Sequence, residues 1–190
     1  MKLFKHKNYD EYKKAQIWKN VGKLKLVWVK KKEIVLLVNH IKENIPNPKF
    51  GICHGVRNAW EVKQLRNLLG IEVIGTEISH TATQFENTIQ WDFHETKDEW
   101  VDNVDFIYSN SFDHSYDPEM CLDKWMSCIK KDGVCYIHWN YENSKPGAID
   151  AADCFNATEN DYRKLFSKKY KVINEFAPIK GRTIFSIKHK

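Results

Sequence analysis

The chain has 190 residues, 42% hydrophobic and 29% charged, which fits one globular core and excludes a disordered chain. Its longest apolar run, Ile34 to Val38, is too short to span a bilayer, and the N-terminus turns polar before a signal-peptide core forms. The expectation is a soluble, cytoplasmic protein with no membrane partner. Five cysteines without a Cys-x-x-Cys pair offer no zinc site or disulfide framework and read as small buried hydrophobes. The net charge of +5 gathers in Lys2 to Lys32 and at the C-terminal end. Solvated lysine-rich faces explain it, and no helix-turn-helix or RNA-recognition signature accompanies it, which argues against a nucleic-acid partner.

Residues 1 to 20 look partly helical, with Tyr9, Tyr12, Ile17 and Trp18 roughly periodic. Val21 to Val29 alternates and reads equally as a short strand or a lead-in to the next helix. Lys32 to Asn44 predicts a helix, with Ile34, Leu37, Val38 and Ile41 on one face, ended by Pro46 and Pro48. Residues 1–48 are therefore expected to be a helical segment packing on a domain of residues 49–190.

Within that domain the punctuation is regular. Lys49 to Cys53 is a short strand, and Asn58 caps a helix through Leu69 that Gly70 stops. Ile71 to Thr76 is a second strand, followed by a short helix capped by Ser79. Thr88 to Trp91 is a third strand, and Glu95 to Val101 a short helix. Val104 to Ser109 is a fourth strand. Asp117-Pro118 starts a helix with apolar Leu122, Trp125, Met126 and Ile129, closed by Lys130 to Gly133. Val134 to Trp139 is a buried fifth strand. A long loop, Asn140 to Ala157, precedes a helix capped by Thr158 with Asp161. Tyr170 to Phe176 and Thr183 to Ile187 pair as a final hairpin across Gly181. The pattern predicts an α/β fold: a doubly wound, mostly parallel seven-stranded sheet ending in an antiparallel hairpin.

In such sheets ligands lie beyond the carboxyl ends of the strands. The residues there are Cys53, His54, Gly55 and Arg57, then Glu77 with Ile78, Asp92 with Phe93, and Ser109 to His114, with His138 to Asn140 closing the fifth strand. Gly55 lets a backbone approach a ligand, the amides entering the following helix suit an anion, and an acid after the second strand suits ribose hydroxyls.

With these residues in view, Phe50 to Lys190 resembles the class I S-adenosylmethionine-dependent methyltransferases, and most closely their small-molecule branch. The resemblance rests on Val73 to Ser79, on Ser109 to Pro118 (Ser-Asn-Ser-Phe-Asp-His-Ser-Tyr-Asp-Pro), on Ile129 to Val134 and on the final hairpin. It implies S-adenosylmethionine as cofactor and a small-molecule or sugar-like methyl acceptor. It implies Glu77 on the ribose, Asp92 and the Phe93 amide on adenine, and Cys53 to Arg57 with Ser109 and Asn110 around the methionine portion. The family's acid-x-Gly-x-Gly-x-Gly turn is reduced here to Gly51-Ile-Cys-His-Gly-Val-Arg57, with Arg57 available to a carboxylate. Methyl transfer needs a base only where the acceptor must lose a proton. His114 and Asp113 are placed best for that, His138 next, and Tyr141, Asp150, Asp153 and Phe155 of the long loop are placed to select the acceptor. No metal is expected. The competing readings are a methyltransferase-like scaffold without catalysis, a nucleic-acid methyltransferase, and a nicotinamide dehydrogenase, the last weakened by the missing Gly-x-Gly-x-x-Gly.

Overall fold

Strand-forming segments separated by helices leave the chain one economical solution, a sheet covered on both faces. The computed structural model describes residues 1–190. In chain order the elements are β1 (Lys2–Leu3), α1 (Tyr9–Gly22), α2 (Lys31–Asn44), β2 (Phe50–His54), α3 (Trp60–Leu69), β3 (Glu72–Glu77), β4 (Thr88–Gln90), β5 (Val104–Ser109), α4 (Pro118–Cys128), β6 (Ile129–Asn140), α5 (Tyr141–Ser144), β7 (Phe155–Asn156), α6 (Glu159–Lys169), β8 (Lys171–Ile179) and β9 (Arg182–Lys188). The main sheet runs β4-β3-β2-β5-β6-β9-β8. Its first five strands are parallel, and β9 inserts antiparallel between β6 and β8. The order reverses at β2, between β3 and β5, so a crevice opens beyond the carboxyl ends of these strands.

Two apolar layers flank the sheet. On one face Ile34, Leu37, Val38 and Ile41 of α2 and Val62 and Leu65 of α3 pack on Phe106, Tyr108, Val134 and Tyr136. On the other, Leu122, Trp125 and Met126 of α4 and Tyr162, Leu165 and Phe166 of α6 pack on Ile107, Cys135, Ile137 and Phe185. The period-two alternation along β6 is what serves both layers at once. In β5 a register irregularity between Val104 and Phe106 sends these two residues to opposite faces despite their even spacing.

Local signals act as expected at several ends. Asp117 accepts a hydrogen bond from the Met120 amide, Thr158 and Asp161 form a reciprocal cap, and Gly70 and Gly181 adopt positive φ. Other expectations are corrected. Gly133 does not stop a helix: α4 ends at Cys128, and Lys130 to Gly133 lie within β6. A Cβ at Gly133 would sit 2.6 Å from the Asp105 carbonyl oxygen, so close backbone approach explains the glycine. Val21 to Val29 forms no strand: α1 runs through Gly22 and an irregular segment then leads into α2 at Lys31. Glu95 to Val101 contains only a 3₁₀ turn, Asp98–Trp100. The long loop contains α5 and β7, and β7 pairs with β1 through Lys2↔Asn156 and Leu3↔Phe155.

The turn from β2 into α3 carries backbone strain. Gly55, Arg57 and Ala59 have φ of 70°, 49° and 56°, and an L side chain in that region costs about 1–2 kcal/mol. Ala59→Gly is expected to stabilise the fold by about 1 kcal/mol, a Tm rise of roughly 2–4 °C by calorimetry. A lowered Tm would show that the packing of the Ala59 methyl outweighs the strain.

Candidate functional site

The carboxyl ends of β2 to β6 surround a cavity of about 170 Å³. Its floor is the β2–α3 turn, whose shape β3 dictates. The Gly55 and Val56 amides both donate to the Thr76 carbonyl, at 2.9 and 3.2 Å. Glu77 then grips two loops: its Oε2 accepts from the Arg57 amide at 2.9 Å and its Oε1 from the Ser79 amide at 3.1 Å. Burial raises the Glu77 pKa against the pull of these amides. On the other side Ser109 Oγ donates to the His54 carbonyl and Ser111 Oγ to the Gly55 carbonyl, each at 3.0 Å. A Cβ at Gly55 would fall 2.6 Å from the Ser111 Cβ, so this position needs glycine for the loops to meet as well as for its φ.

Of the expected cofactor residues, Gly55, Arg57, Glu77, Ile78, Asp92, Phe93 and Asn110 line the cavity. Cys53, His54 and Ser109 lie beneath it. The Cys53 thiol is in the core, and burial pushes its pKa well up. His54 stacks on Trp125 at 4.8 Å with Nδ1 2.7 Å from Thr76 Oγ1, and burial depresses its pKa to about 3. Most of the amides expected to cradle an anion are instead engaged, those of Gly55, Val56 and Arg57 by β3 and that of Ala59 by the Val56 carbonyl at 2.9 Å, which leaves the Asn58 amide. The Arg57 guanidinium has no carboxylate partner, only a 3.4 Å hydrogen bond to the Leu26 carbonyl.

Asp92 is already in a network. Its Oδ1 accepts from the His94 amide at 2.9 Å and lies 2.7 Å from His94 Nδ1, while His94 Nε2 is 2.8 Å from Ser115 Oγ. Its Oδ2 accepts from the Tyr9 hydroxyl at 2.8 Å. Burial opposes ionisation of Asp92, but the His94 and Tyr9 hydrogen bonds prevail and its pKa is lowered.

At the opposite end, His114 Nδ1 donates to the Ala152 carbonyl at 2.9 Å and lies 3.5 Å from Asp153. A carbonyl can only accept, so in the neutral ring the lone pair is on Nε2. Asp113 accepts from the Asn143 side chain, and burial raises its pKa. Asp113, His114 and Asp153 each bring one ligand atom within 4.8 Å of the others. The Lys19 ammonium, 2.5 Å from Asp153, supplies positive charge beside this group. His138 lines the cavity with both ring nitrogens facing protein groups, Nδ1 at 3.2 Å from the Tyr108 hydroxyl and Nε2 at 3.2 Å from Glu33 Oε1. In the long loop, Asp153 and Phe155 reach the cavity; Tyr141 and Asp150 do not.

Two features escape the sequence. The first is the roof, made by α1 and residues 23–30, which contributes Tyr12, Gln16, Asn20 and Trp28. Gln16 donates to the Ala152 carbonyl at 2.8 Å, and Asn20 accepts from Thr81 at 2.9 Å. Asn58 donates to the Leu24 and Leu26 carbonyls, and Arg182 lies 4.1 Å over the Trp28 ring. The only available sign was polar Gln16 and Asn20 four residues apart. The second is Glu61, a buried cavity-lining carboxyl in the first turn of α3. Its position resembles that of any exposed acid favoured at a helix start.

Burial raises the Glu61 pKa from 4.5 to about 7, against the lowering effects of its own amide and of Arg57. The stability linked to its bound proton is therefore fully present below about pH 4.5 and lost as pH rises through about 7. Glu61→Gln stays neutral. Relative to wild type, urea denaturation should show it gaining about 2–3 kcal/mol between pH 5 and pH 8. An equal difference at both pH values would reject a proton held on Glu61.

No protein-family model matches the chain, and no curated protein matches it. Solved structures do. Burkholderia thailandensis 1,6-didemethyltoxoflavin-N1-methyltransferase, with bound 1,6-didemethyltoxoflavin and S-adenosylhomocysteine, superposes with TM-score 0.75 at 12% identity, over 98% of this chain and 92% of that one. A chain of the complex containing the Haloferax volcanii Trm112 methyltransferase activator gives 0.68 at 16%, over 97% and 99%. Geranyl diphosphate C-methyltransferase from Streptomyces coelicolor A3(2), in complex with Mg2+, geranyl diphosphate and S-adenosyl-L-homocysteine, gives 0.63 at 9%, over 82% and 77%. Sheet order, reversed final hairpin and these superpositions agree: the chain has the fold of the class I S-adenosylmethionine-dependent methyltransferases.

Proposed function

We propose that the protein is an S-adenosylmethionine-dependent methyltransferase acting on a small polar molecule. The observation that carries this is the charge layout of one cavity: Glu77 and Asp92 at adjacent strand ends, with Arg57 unpaired by any carboxylate beside them. Two hydrogen-bond-accepting acids and one free cation complement a ligand with ribose hydroxyls, an exocyclic amine and a carboxylate. Such neighbours as the 1,6-didemethyltoxoflavin-N1-methyltransferase and the geranyl diphosphate C-methyltransferase are solved with S-adenosylhomocysteine, which supports the same ligand here.

In this reading the cofactor supplies an activated methyl group on a sulfonium. The protein orients it: Glu77 takes the ribose hydroxyls with the lone pairs left by two amides, and Arg57 takes the carboxylate in place of the engaged turn amides. Asp92 takes the adenine amine, which competes with the Tyr9 hydroxyl for Oδ2. His114 has its Nδ1–H held by Ala152 and receives a proton at Nε2 from an acceptor hydroxyl or amine. Asp113, Asn143 and Asp153 position the acceptor.

A second reading is a methyltransferase-like binding protein without catalysis. The specific observation favouring it is the turn itself, where Arg57 and Ala59 hold left-handed conformations and most of the amides are spent.

Calorimetry separates these readings. S-adenosylmethionine and S-adenosylhomocysteine are expected to bind and NAD not to bind, with Glu77→Ala weakening both adenosyl ligands by roughly 10- to 100-fold, the loss of hydrogen bonds to a charged group. Failure of both ligands to bind the wild-type chain sinks the cofactor assignment. Turnover is read as S-adenosylhomocysteine release in small-metabolite fractions. His114→Ala should slow it at least 100-fold on a proton-losing acceptor while cofactor affinity is retained. Binding without release in any fraction favours the non-catalytic reading, and a wild-type rate in the variant removes His114 as base.

A further inference from the structure

Helix α1 is turned the unusual way for a helix on a water-facing surface. Its buried residues, Tyr12, Gln16 and Asn20, are four apart and face the cavity, while Trp18 and Val21 point outward, 81% and 48% exposed. The segment after it exposes Val27 as well, while Leu26 lines the cavity. Nine of the fourteen exposed large hydrophobics precede residue 30. The charge is segregated in the same place. Residues 1–32 hold eleven lysines against Asp10 and Glu11, whereas the remainder holds 19 basic and 23 acidic residues. Of those eleven lysines, only Lys19 is in an ion pair.

We propose that this N-terminal face docks the protein peripherally on an anionic lipid bilayer. Lysines interleaved with exposed Trp and Val match a headgroup layer, where apolar tips enter the acyl boundary and lysine stems reach back to lipid charges. Charge complementarity decides among occupants. A nucleic-acid backbone would satisfy the lysines and leave Trp18, Val21 and Val27 in water. A second copy seated on the same face would oppose one lysine cluster with another. The sequence expectation of no membrane partner rested on the absence of a spanning segment, and a docking face needs none. No helix here is long and apolar enough to cross a membrane. The proposal is independent of the methyltransferase reading.

The test is co-sedimentation of the full chain with vesicles of phosphatidylcholine alone and with about one-third phosphatidylglycerol, with tryptophan emission recorded. Binding is expected only to the anionic vesicles, falling steeply with salt and accompanied by a blue shift. The pair Trp18→Ser/Val21→Ser and the single change Lys14→Glu lie outside the cavity, so their melting temperatures and S-adenosylhomocysteine binding serve as folding controls. Each should weaken partitioning by about tenfold or more, and Trp18→Ser should remove the blue shift. No sedimentation with anionic vesicles at low salt overturns the proposal. So does equal partitioning of the Trp18→Ser/Val21→Ser variant. Tighter binding to single-stranded RNA that ignores Trp18 reassigns the face to nucleic acid. A concentration-dependent dimer lost in Trp18→Ser, without vesicle binding, reassigns it to self-association.

Discussion

The cavity depends on one buried carboxylate. Glu77 ties the β2–α3 turn to the loop after β3 through the Arg57 and Ser79 amides, and the neighbouring Thr76 carbonyl takes the Gly55 and Val56 amides. Three backbone donors of the turn, the Gly55, Val56 and Arg57 amides, are thus held by one strand end. This explains how the turn keeps left-handed φ at Arg57 and Ala59 without glycine, because the strain of about 1–2 kcal/mol per residue is over-determined by the surroundings. It also changes the chemistry the turn offers. Engaged amides cannot grip an anion, which is why the proposed ligand carboxylate is assigned to the Arg57 side chain.

The roof is built on different physics from the floor. Apart from the Tyr12 ring, which packs on Tyr116 and His94, the buried side chains of α1 are the amides Gln16 and Asn20, so hydrophobic burial contributes less to holding α1 than to holding α2. What holds it is a set of polar contacts: Tyr9 to Asp92, Gln16 to Ala152, Lys19 to Asp150 and Asp153, and Asn20 to Thr81. Hydrogen bonds of this kind contribute about 1 kcal/mol each and half-exposed ion pairs less. By contrast α2 sits on Ile34, Leu37 and Ile41, all fully buried.

This contrast also explains what was legible in the sequence. Helices and strands that bury an apolar face announce themselves by period, so the sequence places α2 and β5 within a residue and the start of α6 at its Thr158 cap. That Glu77, Asp92 and Asn110 line the cavity is legible because strand ends in this topology face the crevice. Gly133 was misread because a glycine needed for close approach to the Asp105 carbonyl looks the same in sequence as one ending a helix. The roof was illegible because Gln16 and Asn20 have polar reasons for being buried, and period methods detect apolar ones. Glu61 was hidden for a related reason: its burial arises from tertiary closure, while its local position is ordinary for an acid at a helix start.

At about 170 Å³ the cavity lies below the roughly 300–1,000 Å³ of common small-molecule pockets, so opening of a wall would widen the range of ligands it admits. The floor is fixed by buried amide–carboxylate bonds, and the sides are strands of a seven-stranded sheet. The roof is the wall with the least apolar burial, and local opening follows the least stable unit. The Tyr9–Asp92 hydrogen bond places part of the roof's attachment on a carboxylate that the proposed ligand also uses. Ligand binding and roof closure therefore draw on one group, and they compete wherever both need Oδ2. The outer surface of that same roof carries the exposed Trp18, Lys14 and Lys25. Whatever covers that surface acts on the element that closes the cavity, and its differential affinity for open and closed roofs sets the direction of the effect.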